Sequence, residues 1–217
     1  MKHLIIIGAG GFAREVYNYA IGSVGYGEDF VIKGFMDIDR HALDSFEGYP
    51  PIIGDENSYD IQDNDVFVAA IGRNDIRKKV VDIISRKGGE FYTIKHNTCI
   101  INTNVEIGEG CILFPMVYVG ADSKIGDYTF IQNNTVIGHD VKIGSYCRID
   151  CNVVFVGGTS SGNYVTVHTN SVINHNVHLS EWSTTAACSF VIKNVASYIT
   201  VMGNPAKKIF DSTPHKQ

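Results

Sequence analysis

The adjacent residues His139 and Asp140 are well suited to proton transfer near neutral pH. An imidazole titrates close to neutrality, and a neighbouring carboxylate can hold the ring's tautomer or stabilise its charged form. The chain has eight histidines, and a histidine in a turn is usually solvated. The pair is therefore a candidate general base with an acid that orients it. Whether the two side chains can reach a substrate depends on the elements that carry them.

A second group of candidate residues lies near the N-terminus. Gly8, Gly10, Gly11 and Phe12 follow the short apolar run Leu4-Ile5-Ile6-Ile7 and open a helix predicted to end near residue 21. Glycines let the backbone approach a ligand closely, and a helix N-terminus offers unpaired N–H groups to a phosphate. The turn therefore indicates a phosphate or nucleotide site, and a tight turn without a ligand is the alternative.

Polar residues also follow two further predicted strands, 31–36 and 65–71. Asp37 can accept hydrogen bonds from a base or a ribose, or it can be a solvated carboxylate. Gly72, Arg73 and Asn74 lie where ligands bind in open α/β sheets, beyond the carboxyl ends of the strands. Arg73 can pair with a pyrophosphate, although an isolated arginine is more often on the surface.

The first part of the chain alternates strands with helices, including a predicted helix over 75–87. This order predicts a parallel sheet flanked by helices. Three or four strands are recognisable, which suits one nucleotide. A dinucleotide fold has two such halves, so the short α/β part argues against a nicotinamide oxidoreductase.

From about residue 97 a six-residue repeat replaces this alternation. Fourteen of its sixteen anchor positions carry a large apolar side chain. The anchors are Ile101, Ile107, Leu113, Val119, Ile125, Ile131, Ile137, Ile143, Ile149, Phe155, Ser161, Val167, Ile173, Leu179, Thr185 and Val191. Four residues after each of the first fifteen anchors stands Val, Cys, Ser or Thr, and glycine often follows the anchor directly.

This rhythm predicts a triangular coil in which each unit supplies a short strand and a corner, with the anchor inside. Three units close a turn, so residues eighteen apart stack on one another. His139 lies two residues after an anchor and therefore on a corner. Gly157 stacks one turn above it and His175 two turns above. The Gly157 N–H can act as an oxyanion donor, or Gly157-Gly158 can be a bare turn.

Bulk properties exclude several classes of function. The net charge of -5, without a long run of one sign, argues against nucleic-acid binding. The five cysteines form no CxxC pair, so no metal site is expected, and their odd number suggests reduced thiols. No apolar stretch approaches the ~18 residues of a membrane span, and no signal peptide is recognisable. A cytoplasmic protein is expected.

Five motifs in this order resemble the hexapeptide-repeat acetyltransferases of bacterial nucleotide-linked amino sugars, together with the sialic acid O-acetyltransferases. The motifs are Ile6-Ile7-Gly8-Ala9-Gly10-Gly11-Phe12-Ala13-Arg14-Glu15-Val16, Gly34-Phe35-Met36-Asp37, Ala70-Ile71-Gly72-Arg73-Asn74, Gly138-His139-Asp140 and Gly203-Asn204-Pro205-Ala206-Lys207. The resemblance implies a Rossmann-like α/β nucleotide-binding domain over 1–95, followed by a left-handed parallel β-helix with a C-terminal tail over 96–217.

The resemblance also implies an activity and its residues. It predicts acetyl-coenzyme A-dependent acetylation of an amino-deoxy sugar nucleotide, at a 4-amino group, in surface glycan biosynthesis. His139 and Asp140 would be the catalytic pair, and the eighteen-residue stacking adds Gly157 to them. Cofactor contacts would come from Gly157, His175 and the 203–207 segment, comprising Gly203, Asn204, Pro205, Ala206 and Lys207. The glycine turn with Phe12, Asp37 and residues 72–74 would bind the nucleotide sugar.

The resembling family forms homotrimers with active sites at subunit interfaces, so a homotrimer is expected here. The chain departs from the family around residues 174–190, where Asn174, His175, Asn176 and Trp182 replace small residues. Some family members have histidine at the position of Phe12. Two other functions stay open: O-acetylation of a sugar hydroxyl, and a non-catalytic nucleotide-binding scaffold.

Overall fold

The structure is a computed structural model that describes residues 1–214. It divides into two compact units, residues 1–97 with 109–112, and residues 98–108 with 113 onward. The last three residues of the second expected domain, 215–217, lie outside the described residues.

The first unit contains a parallel sheet with two helices. Its elements are β1 (Lys2–Ile7), α1 (Gly11–Ile21), β2 (Phe30–Met36), β3 (Ile52–Gly54), β4 (Asp65–Ala69), α2 (Asn74–Arg86), β5 (Glu90–Phe91) and β6 (Ile94–Lys95). Within residues 1–97 the sheet has the order β3-β2-β1-β4-β5, with every pairing parallel. The predicted α/β alternation is confirmed. The predicted strand number was low, because β3 and β5 have only three and two residues and show no hydrophobic period.

Burial explains why these segments form a sheet. Residues 4–7 of β1 and all of β4 are buried, as expected for central strands covered on both faces. The core around them joins both strands to helix α2, through Ile5, Ile7, Phe67, Val80 and Ile84. Strand order reverses between β1 and β4, and such a switch point is where doubly wound sheets bind ligands.

The second unit is a parallel β-helix made of very short strands. The sixteen strands that carry the repeat within residues 98–191 are β7 (Ile100–Ile101), β8 (Glu106–Ile107), β9 (Ile112–Leu113), β10 (Tyr118–Val119), β11 (Lys124–Ile125), β12 (Phe130–Ile131), β13 (Val136–Ile137), β14 (Lys142–Ile143), β15 (Arg148–Ile149), β16 (Val154–Phe155), β17 (Ser160–Ser161), β18 (Thr166–Val167), β19 (Val172–Ile173), β20 (His178–Leu179), β21 (Thr184–Thr185) and β22 (Phe190–Val191). The antiparallel pair β23 (Ile199–Gly203) and β24 (Ala206–Asp211) follows them.

The strands form three sheets that run along the coil. Sheet I has the order β22-β19-β16-β13-β10-β7, and sheet II has the order β20-β17-β14-β11-β8. Sheet III runs β24-β23-β21-β18-β15-β12-β9 in this part of the chain. Partners in neighbouring turns of the repeat lie eighteen residues apart, for example Ile137 and Phe155. The predicted three-strand turn is confirmed, and the left-handed sense of winding stays a prediction.

The repeat explains the core of this unit. Each anchor is the second residue of its strand, and most anchors are fully buried, including Ile137 and Phe155. The small residues four positions later are also buried, from Cys111 through Ser189. The hydroxyl groups of Ser123, Thr129 and Thr135 donate to backbone carbonyls of the following turn, which satisfies backbone groups inside the coil.

Three columns of corners connect the sheets. Corner 1 follows sheet I and comprises 120–122, 138–140, 156–158, 174–176 and 192–194. Corner 2 follows sheet II at 126–128, 144–146, 162–164 and 180–182, and corner 3 follows sheet III at 132–134, 150–152, 168–170 and 186–188. The third residue of most corners has positive φ, which Asn, Asp and Gly tolerate best. Corner 2 instead stacks Tyr128, Tyr146, Tyr164 and Trp182, with ring centroids 4.3–5.2 Å apart.

Neither helix of residues 1–214 is long and apolar enough to cross a membrane.

Candidate active site

His139 and Asp140 lie on corner 1, with their side chains about two-thirds exposed. Nδ1 of His139 is 2.7 Å from Oδ2 of Asp140. This contact leaves Nε2 as the ring nitrogen turned away from the carboxylate. Asp140 has φ of 57°, a conformation that Asp adopts more readily than most residues. The arrangement is an oriented imidazole with one nitrogen available to a reacting group.

The imidazole lies directly against Gly157, one turn further along the coil. A Cβ built on Gly157 would collide with Nε2 of His139 and would lie 2.6 Å from Cε1. Gly157 has no positive φ, so its backbone would accept alanine. Glycine is therefore required at this position by the ring of His139 and not by the turn.

A buried hydroxyl holds the backbone of this corner from inside. Ser123 Oγ donates to the Gly138 carbonyl at 2.8 Å and accepts from the Val141 N–H at 3.1 Å. These two bonds flank His139 and Asp140 on both sides. Ser123 is fully buried, so it fixes the corner without touching its outer surface.

The Gly157 N–H donates no hydrogen bond within residues 1–214. On corner 2 the equivalent N–H groups of Asp127 and Ser145 are capped by the side chains of Ser145 and Asn163 in the next turn. On corner 1, no side chain within residues 1–214 accepts a hydrogen bond from the backbone N–H of His139 or of Gly157. An unpaired N–H beside an imidazole is the donor arrangement that a developing oxyanion needs.

The same corner leads towards a lysine-lined cavity. Eighteen residues after Gly157 stands His175, which is exposed, and eighteen further stands Lys193. Lys193, Ala206 and Lys208 line a cavity of about 420 Å³ whose other walls are mainly apolar. Two lysines beside an apolar cavity suit a ligand that combines phosphates with less polar groups.

The predicted cofactor segment forms the turn between β23 and β24. Gly203 has φ of 108° and Asn204-Pro205 is a cis peptide. Ala206 and Lys208 line the cavity, whereas Asn204, Pro205 and Lys207 are exposed. Lys208 also pairs with Asp211 at 2.8 Å.

In the first unit the glycine turn is held by Asp37. The Ala9 N–H donates to Oδ2 of Asp37 at 2.8 Å, and the Asp39 N–H donates to Oδ1 at 3.0 Å. Gly8 has φ of 102° and its N–H donates to the Met36 carbonyl. Helix α1 begins without a side-chain cap at Gly10. Asp37 thus positions the turn, and each carboxylate oxygen keeps one further lone pair for a ligand.

A cavity of about 230 Å³ lies beside this turn at the switch point of the sheet. Its lining is mainly apolar, with two carboxylates, and comprises Ile7, Gly8, Met36, Asp37, Ile38, Glu56, Ile71, Ile76 and Val80. Apolar walls suit the faces of a planar base, and carboxylates accept hydrogen bonds from N–H or O–H groups.

Residues 72–74 join β4 to α2. Arg73 is the exposed residue that precedes α2, and its guanidinium makes two hydrogen bonds to Asp75, which raise the pKa of Arg73 further. Asn74 is buried and accepts from Nη2 of Arg77 at 3.1 Å. Arg77 is almost fully buried and also donates to the Ile71 carbonyl at 2.8 Å, so it holds the 72–74 loop from its buried side.

The structure therefore brings His139, Asp140 and Gly157 together on one corner, with His175 in the same column. It places Gly8 and Asp37 at the 230 Å³ cavity but directs Arg73 towards Asp75. Sequence reasoning missed Ser123, Glu56, Arg77 and Lys193. Of these, only Lys193 could have been found from the sequence, because it lies eighteen residues after His175 and therefore stacks on the same corner. No group of metal-ligating side chains occurs within the described residues.

Comparisons with known families agree with this geometry. Residues 3–84 match the PglD N-terminal domain, and residues 122–157 match the bacterial transferase hexapeptide family over six repeats. The resemblance expected from the motifs is confirmed.

Several solved structures share this fold along nearly the whole chain. One is a perosamine N-acetyltransferase variant from Caulobacter crescentus in complex with CoA and GDP-perosamine, with a TM-score of 0.86 and 24% identity over 97% of this chain and 98% of that one. The acetyltransferase domain of PglB from Neisseria gonorrhoeae FA1090 gives a TM-score of 0.86 and 22% identity over 96% and 100%. WeeI from Acinetobacter baumannii AYE gives a TM-score of 0.61 and 21% identity over 96% of this chain and 100% of that one. At these identities the likeness establishes the fold.

Proposed function

We propose that this protein is an acetyl-coenzyme A-dependent N-acetyltransferase that acts on a nucleotide-linked amino sugar. The observation that carries the proposal is an Asp-oriented imidazole packed against Gly157, whose backbone N–H donates no hydrogen bond within residues 1–214. Acetyl transfer needs a base for the acceptor's proton and a donor for the thioester oxyanion, and this corner offers both.

The residues of corner 1 fit coenzyme A. When bound, acetyl-coenzyme A would supply the acetyl group as a thioester. The Gly157 N–H would donate to the thioester carbonyl oxygen as negative charge develops there. Lys193 and Lys208 would hold phosphates at the 420 Å³ cavity, two turns of the coil beyond Gly157. His175 and the 203–207 segment would lie along that path.

His139 would remove the proton from the acceptor amine at Nε2, and Asp140 would stabilise the resulting imidazolium through Nδ1. The amine nitrogen would attack the thioester carbonyl carbon directly, without an acyl-enzyme, and the C–S bond would break so that coenzyme A leaves as its thiolate and takes up the proton held by His139. An amine acceptor is favoured because structures with this fold include a GDP-perosamine N-acetyltransferase. A 4-amino group on the sugar, in surface glycan biosynthesis, is the specific form of the proposal.

The first unit would bind the nucleotide. The α1 N-terminus would receive phosphate at Gly10 and Gly11, next to Phe12. The base or ribose would occupy the 230 Å³ cavity beside Asp37 and Glu56. Residues 72–74 would contact the same ligand, with Arg73 exchanging its partner Asp75 for a phosphate. We further propose that residues 1–95 and 96–217 are the two domains, that the protein works in the cytoplasm and that it assembles as a homotrimer.

Thiol release from acetyl-coenzyme A tests the proposal. Amino-sugar nucleotides carrying uridine, thymidine or guanosine diphosphate are compared with the matching hydroxy-sugar nucleotides and with free sialic acid. We expect release with at least one amino-sugar nucleotide and little with its hydroxy counterpart. Release only with hydroxyl acceptors would indicate O-acetylation. Nucleotide binding without release from any acceptor would indicate a binding scaffold and contradict catalysis.

A further inference from the structure

Glu56 presents an unpaired carboxylate to the cavity of about 230 Å³ in the first unit. The residue is half-buried, and its side chain makes no hydrogen bond or ion pair with any part of residues 1–214. Its backbone carbonyl accepts from Nζ of Lys87 at 3.3 Å, which anchors the main chain. Taking such a carboxylate out of water costs free energy unless new donors replace the water. A ligand that fills this cavity must therefore bring donors to Glu56.

The preceding residue, Asp55, fixes the turn that carries Glu56. Oδ1 of Asp55 accepts from the N–H groups of Asn57 at 2.9 Å and Ser58 at 3.0 Å. Its other oxygen pairs with Arg40 at 3.4 Å. Asp55 is thus engaged within its own surroundings, and Glu56 is the acid of this turn that lines the cavity.

Asp37 has a different role at the same cavity. Both of its oxygens already accept backbone N–H groups, from Ala9 and Asp39. It follows β2 directly and lies beside the glycine turn, and an acid at this place accepts ribose hydroxyls in nucleotide-binding α/β folds. With the phosphates at the turn and the ribose at Asp37, the base occupies the remaining, mainly apolar part of the cavity.

In that part of the cavity a base meets apolar walls and an acceptor. The walls are the aliphatic side chains of Ile38, Ile71, Ile76 and Val80. Such walls pack against the two faces of a planar ring, so the polar group is left to read its edge. No lining side chain other than Asp37 and Glu56 is polar. The side chains that read the edge of the base are therefore acceptors, because an ionised carboxylate has no donor.

Among the five common bases, guanine alone offers two neighbouring donors on its Watson–Crick edge. Its N1–H and 2-amino groups match the two oxygens of one carboxylate, in a paired geometry like that of arginine with a carboxylate. Uracil and thymine present one N–H between two carbonyl oxygens. Adenine and cytosine present an amino group beside a ring nitrogen that accepts. With these four bases, the second oxygen of Glu56 would face an acceptor, which is repulsive.

We propose that the first unit selects guanine nucleotides and that Glu56 is the residue that determines this specificity. The two oxygens of Glu56 accept from the N1–H and the 2-amino group of the base, while Asp37 accepts from the ribose. The proposal rests on the proposed function, which it deepens: the acceptor substrate is an amino sugar linked to guanosine diphosphate.

Calorimetry with nucleoside diphosphates tests the base preference without any acetyl transfer. The probes are the diphosphates of guanosine, inosine, uridine, thymidine and adenosine. We expect guanosine diphosphate to bind most tightly. Inosine diphosphate lacks the 2-amino group and should bind about 10- to 100-fold more weakly, because one hydrogen bond to a charged acceptor is lost. Equal affinities for guanosine and inosine diphosphates, tighter binding of any other probe, or no binding of guanosine diphosphate overturns the proposal.

Glu56→Gln tests the residue by exchanging its preference. A glutamine amide places one acceptor beside one donor, which matches the N1–H and the 2-carbonyl of xanthine. The variant should bind guanosine diphosphate at least tenfold more weakly than the unmodified protein does, and xanthosine diphosphate more tightly. Unchanged affinity for guanosine diphosphate overturns the assignment. A loss for guanosine diphosphate without a gain for xanthosine diphosphate would indicate a structural role and overturns it as well.

The matched control is Glu47→Gln, which changes an exposed glutamate of the same unit outside the cavity lining. It should alter neither affinity, and an equal loss in both variants overturns the assignment to Glu56. Because the Glu56 carboxylate has no partner in the described chain, both variants should keep the melting temperature of the unmodified protein.

The outcomes also separate this proposal from the proposed function. Thiol release with a uridine-linked amino sugar, together with weak binding of guanosine diphosphate, would leave the acetyltransferase in place and overturn the selection of guanine. Binding of guanosine diphosphate that depends on Glu56, without thiol release from any acceptor, would support the guanine site and contradict the proposed function.

Discussion

Replacing Gly157 by alanine should disable the site by moving one side chain. The added Cβ would lie 2.6 Å from Cε1 and 2.9 Å from Cδ2 of His139, and closer still to Nε2. Ordinary carbon contacts need about 3.5–4.0 Å, so the ring must move by roughly 1 Å. A displacement of that size can cost about 10²-fold in rate. Because the His139 side chain is 67% exposed, it can move into solvent with little loss of stability.

The assay is thiol release from acetyl-coenzyme A, with the melting temperature measured in parallel. Gly157→Ala keeps the backbone N–H, so any loss reports on the imidazole and not on the oxyanion donor. The control is the same substitution in a His139→Ala background, where the methyl meets no ring and should cause no further loss. Normal turnover in Gly157→Ala, or an equal loss in both backgrounds, would refute this reasoning.

Three further results are expected. Asp140→Asn keeps the positive φ but loses the charge-assisted hydrogen bond to His139, and should lower kcat by about 10- to 100-fold without changing coenzyme A affinity in calorimetry. Ser123→Ala should lower the free energy of unfolding by about 1–3 kcal/mol and also lower kcat. Thr129 makes the equivalent two hydrogen bonds to the backbone of corner 2, so Thr129→Ala should lower only the free energy of unfolding. Burial would raise the pKa of Asp150, but the hydrogen bonds of its carboxylate with His168 and Arg148 outweigh burial and lower that pKa. The ionised carboxylate therefore stabilises the folded protein fully above the ordinary carboxyl pKa of about 4, and this contribution is lost as pH falls below that value. Asp150→Asn should accordingly make the free energy of unfolding depend less on pH on the acid side of a stability–pH curve.

The repeat could be predicted from the sequence because the coil allows few residue types at two positions in every six. Anchors must fill the axis, and the residue four positions later has room only for a small side chain. From that constraint the sequence predicts every strand from β7 to β22, and it predicts that Gly157 stacks on His139. The α/β elements β1, α1, β2, β4 and α2 were also predictable, because each has a buried face of ordinary length.

Features that depend on side-chain direction were not predictable. Ser123 fits the small-residue register equally well whether or not it clamps a corner. Arg73 follows a strand as a phosphate ligand would, yet it pairs with Asp75 only two residues away. Arg77 appears in a helix as an ordinary charged residue, and only its three-dimensional surroundings show that it is buried. The short strands β3 and β5 have no period from which they could be inferred.

The central claim is that His139 acts as the general base, and one comparison tests it most directly. Turnover with the acetyl donor and coenzyme A affinity are measured on unmodified protein and on His139→Ala. We predict that turnover falls by about 10²- to 10⁴-fold while the coenzyme A Kd changes little. Full turnover in His139→Ala would contradict the account.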